Sequence, residues 1–391
     1  MKNLWDEQDA LDKSDELSLR VYSSNLLGQS DELVLHGGGN TSLKSFYNDE
    51  EVLFVKGSGW DLVTIKKEGF APVKLEVLSQ MAKLDAISDS EMVRLQKEAM
   101  CDKNAPNPSV EAILHAIIPY KFVDHTHADA IVSISNSKFG EKLIKQIFKN
   151  FLIIPYVMPG FLLAKKIYEQ TKDFDWSKSE GIILLNHGIF TYDDDAKKSY
   201  DKMIEAVSKA ERFLDENANI DLLHVETKNR DITKLLELVS DAKGYKVEVC
   251  INQSPLALHY STLSKEELCR GVLTPEHIIR TKRYPLVIKE IGFEDELLEY
   301  IREYKNYFSM FAKDEIMLNP SPNYAVIENF GIVCFGKAKK EADIINDIVS
   351  HTMSAVLRAD KLGGYKSISL KDSFDMEYWE LEQVKLRGQN G

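Results

Sequence analysis

The stretch EGIILLNHGIFTYDDDAKKSYDKMIEAVSKAERFLDE, residues 180–216, constrains the fold more than any other part of the chain. Two short apolar runs flank Asn186-His187-Gly188, and a long segment of helical period follows. The expected unit is strand, tight turn, strand and amphipathic helix. The pattern returns at VIENFGIVCFGKAKKEADIINDIVSHTMSAV, from Val326, where Asn329-Phe330-Gly331-Ile332 aligns with Asn186-His187-Gly188-Ile189 and Ala338-Lys339-Lys340 with Ala196-Lys197-Lys198. Such an echo reads as a diverged internal repeat. Its second copy carries Phe330 in place of a histidine, and phenylalanine ligates no metal.

With 391 residues the chain is too long for one ordinary core. The charged stretch from about Asp215 to Arg230 reads as a junction. The expected class is α/β: a three-layer α/β/α domain over residues 1–228, then a smaller α/β domain over 229–391. Upstream, ELVLHGGGNTSLK is expected to run from a strand through a glycine turn into another strand, and EEVLFVKGSGWDL repeats the device. Glycines of this kind let backbone amides approach a ligand closely. PNPSVEAILHAIIPY reads as a helix entered through Pro108, and NFLIIPYVMPG as a buried strand ended by proline and glycine.

A net charge of −13 argues against a general nucleic-acid or anionic-membrane surface. The acidic start MKNLWDEQDALDKSDELS has no apolar core, and no apolar run approaches bilayer length, so a cytoplasmic protein without a membrane partner is expected. Cys101, Cys250, Cys269 and Cys334 are scattered, without a CxxC pair, and read as reduced thiols.

In VDHTHADAIVSIS, His125 and His127 share one face of an expected strand and can converge on one metal ion. His187, at the turn described above, would supply a third neutral nitrogen, leaving open positions on Zn²⁺ or another divalent transition ion. Glu111 stands at the start of the helix just before the HTH strand. A carboxylate there suits the positive end of a helix and suits proton transfer beside a metal-polarised carbonyl equally well. His115, one helical turn on, reads as a hydrogen-bonded core histidine that could also orient Glu111.

HGGGNTS, KGSG, PSVE, HTH and LLNHG, in this order and at these spacings, resemble the class II (zinc-dependent) aldolase/adducin superfamily over about residues 20–215. TPEHIIRTKRYPLVI and FDMEYWELEQVKL resemble the aldolase part of bacterial fusions between a rhamnulose-phosphate-aldolase-like part and a short-chain dehydrogenase; no GxGxxG fingerprint of a dehydrogenase occurs in these 391 residues. The resemblance implies zinc on His125, His127 and His187, with Glu111 as general acid/base. It implies phosphate binding by Asn40, Ser58, Gly59 and Ser109, and a catalytic Tyr156 reached from a neighbouring subunit, hence a homo-oligomer. Two departures stand out: Val110 replaces a serine of the phosphate set, and Lys56 stands where a neutral residue is usual. The implied activity is cleavage of a ketose 1-phosphate of the rhamnulose or fuculose type to a dihydroxyacetone-phosphate enediolate and an aldehyde. The alternatives are a sugar-phosphate 4-epimerase using the same retro-aldol step, or a non-catalytic adducin-like scaffold. The epimerases carry Asp at the place of Glu111, and a scaffold has no need of the three histidines.

Overall fold

The computed structural model describes residues 1–289 and 292–381. The chain divides into two compact units, the first comprising residues 1–135 and 139–216, the second 136–138 and 217–391. Residues 217–228, grouped with the first domain on sequence, belong to the second unit, and 218–232 form neither helix nor strand. The end of the FDMEYWELEQVKL motif, residues 382–386, lies outside the described residues.

The first unit is built on a seven-stranded sheet: β1 (Asn40–Tyr47), β2 (Glu50–Lys56), β3 (Phe70–Lys74), β4 (Phe122–Thr126), β5 (Phe151–Ile154), β6 (Gly181–Leu184) and β7 (Gly188–Asp193), in the order β3-β2-β1-β4-β7-β6-β5. Only β5 and β6 run parallel; the other neighbours are antiparallel. Alternation along β2 shows why helices cover both faces. Leu53 and Val55 pack with Leu78, Ile113 and Phe161 from the helices Leu75–Met81, Ala112–Ile117 and Phe161–Thr171. Val52 and Phe54 pack on the other face with Leu17 and Leu19 of Glu16–Gly28. The three-layer α/β/α architecture follows from this period-two pattern.

Two details of this unit position the site. On one face of β4, Asp124 and Thr126 meet the long helix Ala196–Asn217: Ser199 Oγ donates to Asp124 Oδ2 at 2.5 Å and Thr126 Oγ1 contacts Met203 Sδ at 3.2 Å. His125 therefore faces the opposite layer, where helix Ala112–Ile117 lies. Lys44 of β1 fixes that helix by donating to the carbonyls of His115, Ile118 and Tyr120 at 2.6–2.8 Å, which satisfies groups a helix C-terminus leaves unpaired.

Three local expectations are corrected. The run before the first glycines is not a strand: Leu33 and Val34 amides close on the Ser30 carbonyl, and the resulting turn accepts the His127 amide at Leu33 O, 3.0 Å. Leu33 and Val34 are buried all the same, and burial rather than strand formation explains them. β4 stops at Thr126, so His127 lies just past its end. β5 is half-buried rather than buried because it is the edge strand of its sheet.

The second unit has a four-stranded sheet: β8 (Glu248–Asn252), β9 (Leu286–Ile288), β10 (Tyr324–Ile327) and β11 (Gly331–Gly336), ordered β8-β11-β10-β9. This reproduces β4-β7-β6-β5 strand for strand, including the single parallel pair at the end. Both turns share their details. Asn186 (φ 60°) and Asn329 (φ 55°) are left-handed, and their amides donate to Ser135 Oγ and Ser261 Oγ, each at 3.1 Å. Asparagine tolerates that conformation better than most residues. Thr126 pairs with Ile189 and Asn252 with Ile332, so the register sets Ile251 at the place of His125 and Gln253 at that of His127. With Phe330 for His187, the second unit keeps the topology and none of the three imidazoles. Among the described residues no helix is long and apolar enough to cross a membrane.

Candidate metal centre

The turn between β6 and β7 carries His187 back toward β4, and Gly188 makes the approach possible. A Cβ at Gly188 would stand 2.3 Å from Thr126 O, 3.1 Å from His125 Cε1 and 3.2 Å from His127 Cδ2. Gly39 (φ 63°) does the same for the first loop, where a Cβ would fall 2.7 Å from His125 O. These glycines serve the packing of the histidines themselves, a use that the sequence pattern does not reveal.

The result is a cluster. One ring nitrogen from each of His125, His127 and His187 lies within 4.8 Å of the others, with His125 fully buried and His187 buried. His125 stacks on Phe190 at 4.0 Å between centroids, and its Nδ1 lies 3.1 Å from Ile189 O. A carbonyl there holds the proton on Nδ1 and leaves the Nε2 lone pair for an ion. The Nε2 atoms of His125 and His127 stand 3.1 Å apart. Two ligands at about 2.05 Å from a tetrahedral Zn²⁺ would be about 3.3 Å apart, so this donor set fits a divalent transition ion.

Glu111 is the residue preceding the first turn of helix Ala112–Ile117, yet its side chain makes no capping hydrogen bond. Its carboxylate turns to the histidines instead: Oε2 is 3.5 Å from His125 Nε2 and Oε1 3.7 Å from His187 Nε2. Glu111 is 6% exposed, and Oε1 is buried with no hydrogen-bond partner among the described residues. A carboxylate left so is expensive unless a cation or a proton serves it.

The register of β1 against β4 sets Asn40 directly opposite His125. Asn40 Nδ2 donates to Glu111 Oε2 (2.7 Å) and to Ser109 Oγ (3.1 Å), so both amide hydrogens are engaged. Its Oδ1 accepts from His115 Nε2, and His115 Nδ1 accepts from Ser42 Oγ at 2.8 Å. Burial, reinforced by the charges of His125, Lys44 and Arg20, holds the His115 pKa well below the usual imidazole value. The ring is neutral near pH 7, with the tautomer that fixes Asn40 and, through it, Glu111. The i+4 spacing of His115 from Glu111 is visible in the sequence; its link to Asn40 is not.

Of the remaining sequence candidates, Ser109 joins this group through Asn40. Ser58 and Gly59 sit exposed on the second glycine turn, where the Ser58 amide donates to Asn107 O and the Ser109 amide to Lys56 O, tying that turn to the segment leading into Glu111. Tyr156 follows the edge strand β5, three strands from β4, which corresponds to about 14 Å of sheet.

Two family descriptions match the chain: "Class II Aldolase and Adducin N-terminal domain" over residues 20–214 and "Aldolase class II, second domain" over 227–386. Among curated proteins it resembles the uncharacterized oxidoreductase YuxG of Bacillus subtilis (strain 168), at 29% identity over 417 residues covering 99% of this chain. The chain spans about 60% of that relative's length. Among solved structures it resembles the N-terminal class II aldolase domain of a conserved protein from Thermoplasma acidophilum, with 40% identity, a TM-score of 0.51, and coverage of 55% of this chain and 99% of that one. L-fuculose-1-phosphate aldolase from Thermus thermophilus matches at 15% identity and a TM-score of 0.34, over 51% of this chain and 95% of that one. The chain belongs to the class II aldolase and adducin family.

Proposed function

We propose that the protein is a metal-dependent aldolase that cleaves a ketose 1-phosphate of the rhamnulose or fuculose type, with zinc or another divalent transition ion on His125, His127 and His187. The observation that carries the reading is the turn of Glu111 away from its helix terminus and toward the histidines. A stabilising residue would cap; a carboxylate shared between two imidazoles and an amide is placed for proton transfer.

When bound, the ion supplies electrostatic stabilisation of the negative charge that develops on the carbonyl oxygen as the carbon–carbon bond breaks. Glu111 Oε1 moves the proton, while Oε2 stays anchored on Asn40 so that the carboxylate cannot rotate away. His115 and Ser42 hold Asn40 in one orientation, and Phe190 fixes the plane of His125. Burial of this whole set excludes water from the carbanion side. Ser58, Gly59 and Ser109 face the substrate's phosphate. In this reading Tyr156 protonates the leaving aldehyde oxygen from a neighbouring copy, since in its own chain three strands separate it from β4; a homo-oligomer is part of the proposal.

A screen of ketose 1-phosphates and their unphosphorylated analogues, with aldehyde release coupled to NADH consumption, tests the activity. Cleavage of at least one member by the metal-loaded protein is expected. Metal-loaded protein that releases no aldehyde from any of them overturns the proposal.

A further inference from the structure

The sheet of the second unit ends at β8, although the equivalent strand of the first unit, β4, is an inner one. There the Lys44 amide donates to Lys121 O at 2.9 Å, and this register turns the backbone groups of Val123 and His125 to Ser42 and Asn40 of β1. Val249 and Ile251 take the places of Val123 and His125. The Phe335 amide donates to Asn323 O at 2.9 Å, so Phe335 and Val333 bond toward β10, while Cys334 and Ile332 bond toward β8. Cys250 and Asn252 answer them, and the amides and carbonyls of Val249 and Ile251 point outward. Among the described residues no hydrogen bond reaches these outward groups. A free edge is a template for another strand unless proline, a bulge or charge blunts it. β8 contains no proline, its register with β11 is unbroken, and its one charge, Glu248, stands at its first position. Val249 borders the core, and Ile251, on the same face, is 45% exposed.

We propose that β8 is an interaction surface for a second copy of this chain, pairing antiparallel with that copy's own β8 about a two-fold axis through Cys250. The strand is self-complementary in this register. Val249 exchanges backbone bonds with Ile251 of the second copy, and their β-branched side chains pack together. Cys250 faces Cys250, Glu248 faces the neutral Asn252, and Lys246, just outside the strand, faces Ser254, so no like charges are opposed. The same patch serves both copies, and the contact closes on itself. It carries the four-stranded sheet across the axis and supplies the bonds that β1 supplies to β4. The pairing is independent of the aldolase reading and of the assembly that Tyr156 requires.

Sedimentation velocity of the full chain over a concentration series, together with diamide cross-linking, tests this. In the register centred on Cys250 the two Cys250 residues form a non-hydrogen-bonded pair with Cα atoms about 4.5 Å apart, within the reach of a disulfide. Diamide takes one proton and one electron from each thiol and leaves one disulfide. The wild type is expected to double in mass as concentration rises and to yield a Cys250–Cys250 peptide linked between chains. Ile251→Lys, which puts a charge on the free edge, should lose both, and Cys250→Ser should lose only the cross-link. Where Tyr156 builds a larger assembly, Ile251→Lys halves the largest species and leaves the rest intact. The cross-link is read on the wild type, so it decides the matter even if circular dichroism shows the lysine variant unfolded. A wild type whose mass the folded lysine variant does not change, or whose Cys250 links only to Cys334 or to nothing, leaves this edge to a strand of another protein or to solvent and overturns the proposal.

Discussion

Asp124→Ala should be among the most damaging substitutions in the first unit. Asp124 and Arg20 are both fully buried, with Arg20 Nη2 donating to Asp124 Oδ1 at 2.5 Å. The second carboxylate oxygen accepts from Ser199 Oγ, so one side chain joins β4 to two helices on the same face. Without it, among the described residues, the guanidinium keeps hydrogen bonds only to Ser24 Oγ at 3.2 Å and Ser42 O at 3.4 Å, both neutral. Removing one partner of a buried ion pair costs about 3–5 kcal/mol, mostly the penalty for the abandoned charge. For a unit of roughly 200 residues, that corresponds to about 6–20 °C in Tm. Thermal unfolding followed by circular dichroism measures it. The double change Arg20→Met/Asp124→Leu should recover much of the loss, because an apolar pair leaves no charge behind. A single variant within about 1 kcal/mol of wild type would refute the reasoning.

Gly188→Ala should lower both stability and metal content, because the new Cβ meets the Thr126 carbonyl at 2.3 Å and backbone cannot give way as a side chain could; elemental analysis and a melt check it. His115 contributes a pH dependence of known sign. Its folded pKa lies below the ordinary value near 6.5, so the unfolded chain binds the extra proton, and the contribution is fully present above about pH 6.5 and lost as pH falls toward the folded pKa. Melts of wild type and His115→Gln between pH 7.5 and 5, intervals chosen around that roughly 6.5 midpoint, should converge toward the acid end. Parallel curves would mean that His115 is not held neutral.

Much of the site was legible because its information is local. His125 and His127 stand two residues apart, and His187 sits in a turn that Asn and Gly announce, so local spacing marks the three candidates, although the pairing of β4 with β7 brings His187 to the other two. The repeat was legible for the same reason, since a turn and its following helix recur as one block. What depends on register was not legible. That Asn40 lies opposite His125 follows from the pairing of β1 with β4, which no pattern within either strand specifies. The Ser42–His115–Asn40–Glu111 chain and the Arg20–Asp124 pair are hidden in the same way, each joining residues 71 or more positions apart. Leu33 and Val34 illustrate the opposite failure. A short apolar run looks alike whether it is buried as a strand or as a turn, and here a turn closed on Ser30 O prevailed.

The central claim is that three histidines hold a metal and Glu111 moves the proton, and one paired measurement separates these roles: bound metal and aldol cleavage of the best ketose 1-phosphate, in Glu111→Gln and His187→Ala. Glu111→Gln keeps the bond to Asn40 but loses the basic oxygen, so it should retain metal while turnover falls by about 10²–10⁴. His187→Ala should lose metal and activity together. Near-wild-type turnover in Glu111→Gln, or a full complement of metal in His187→Ala, would contradict the account.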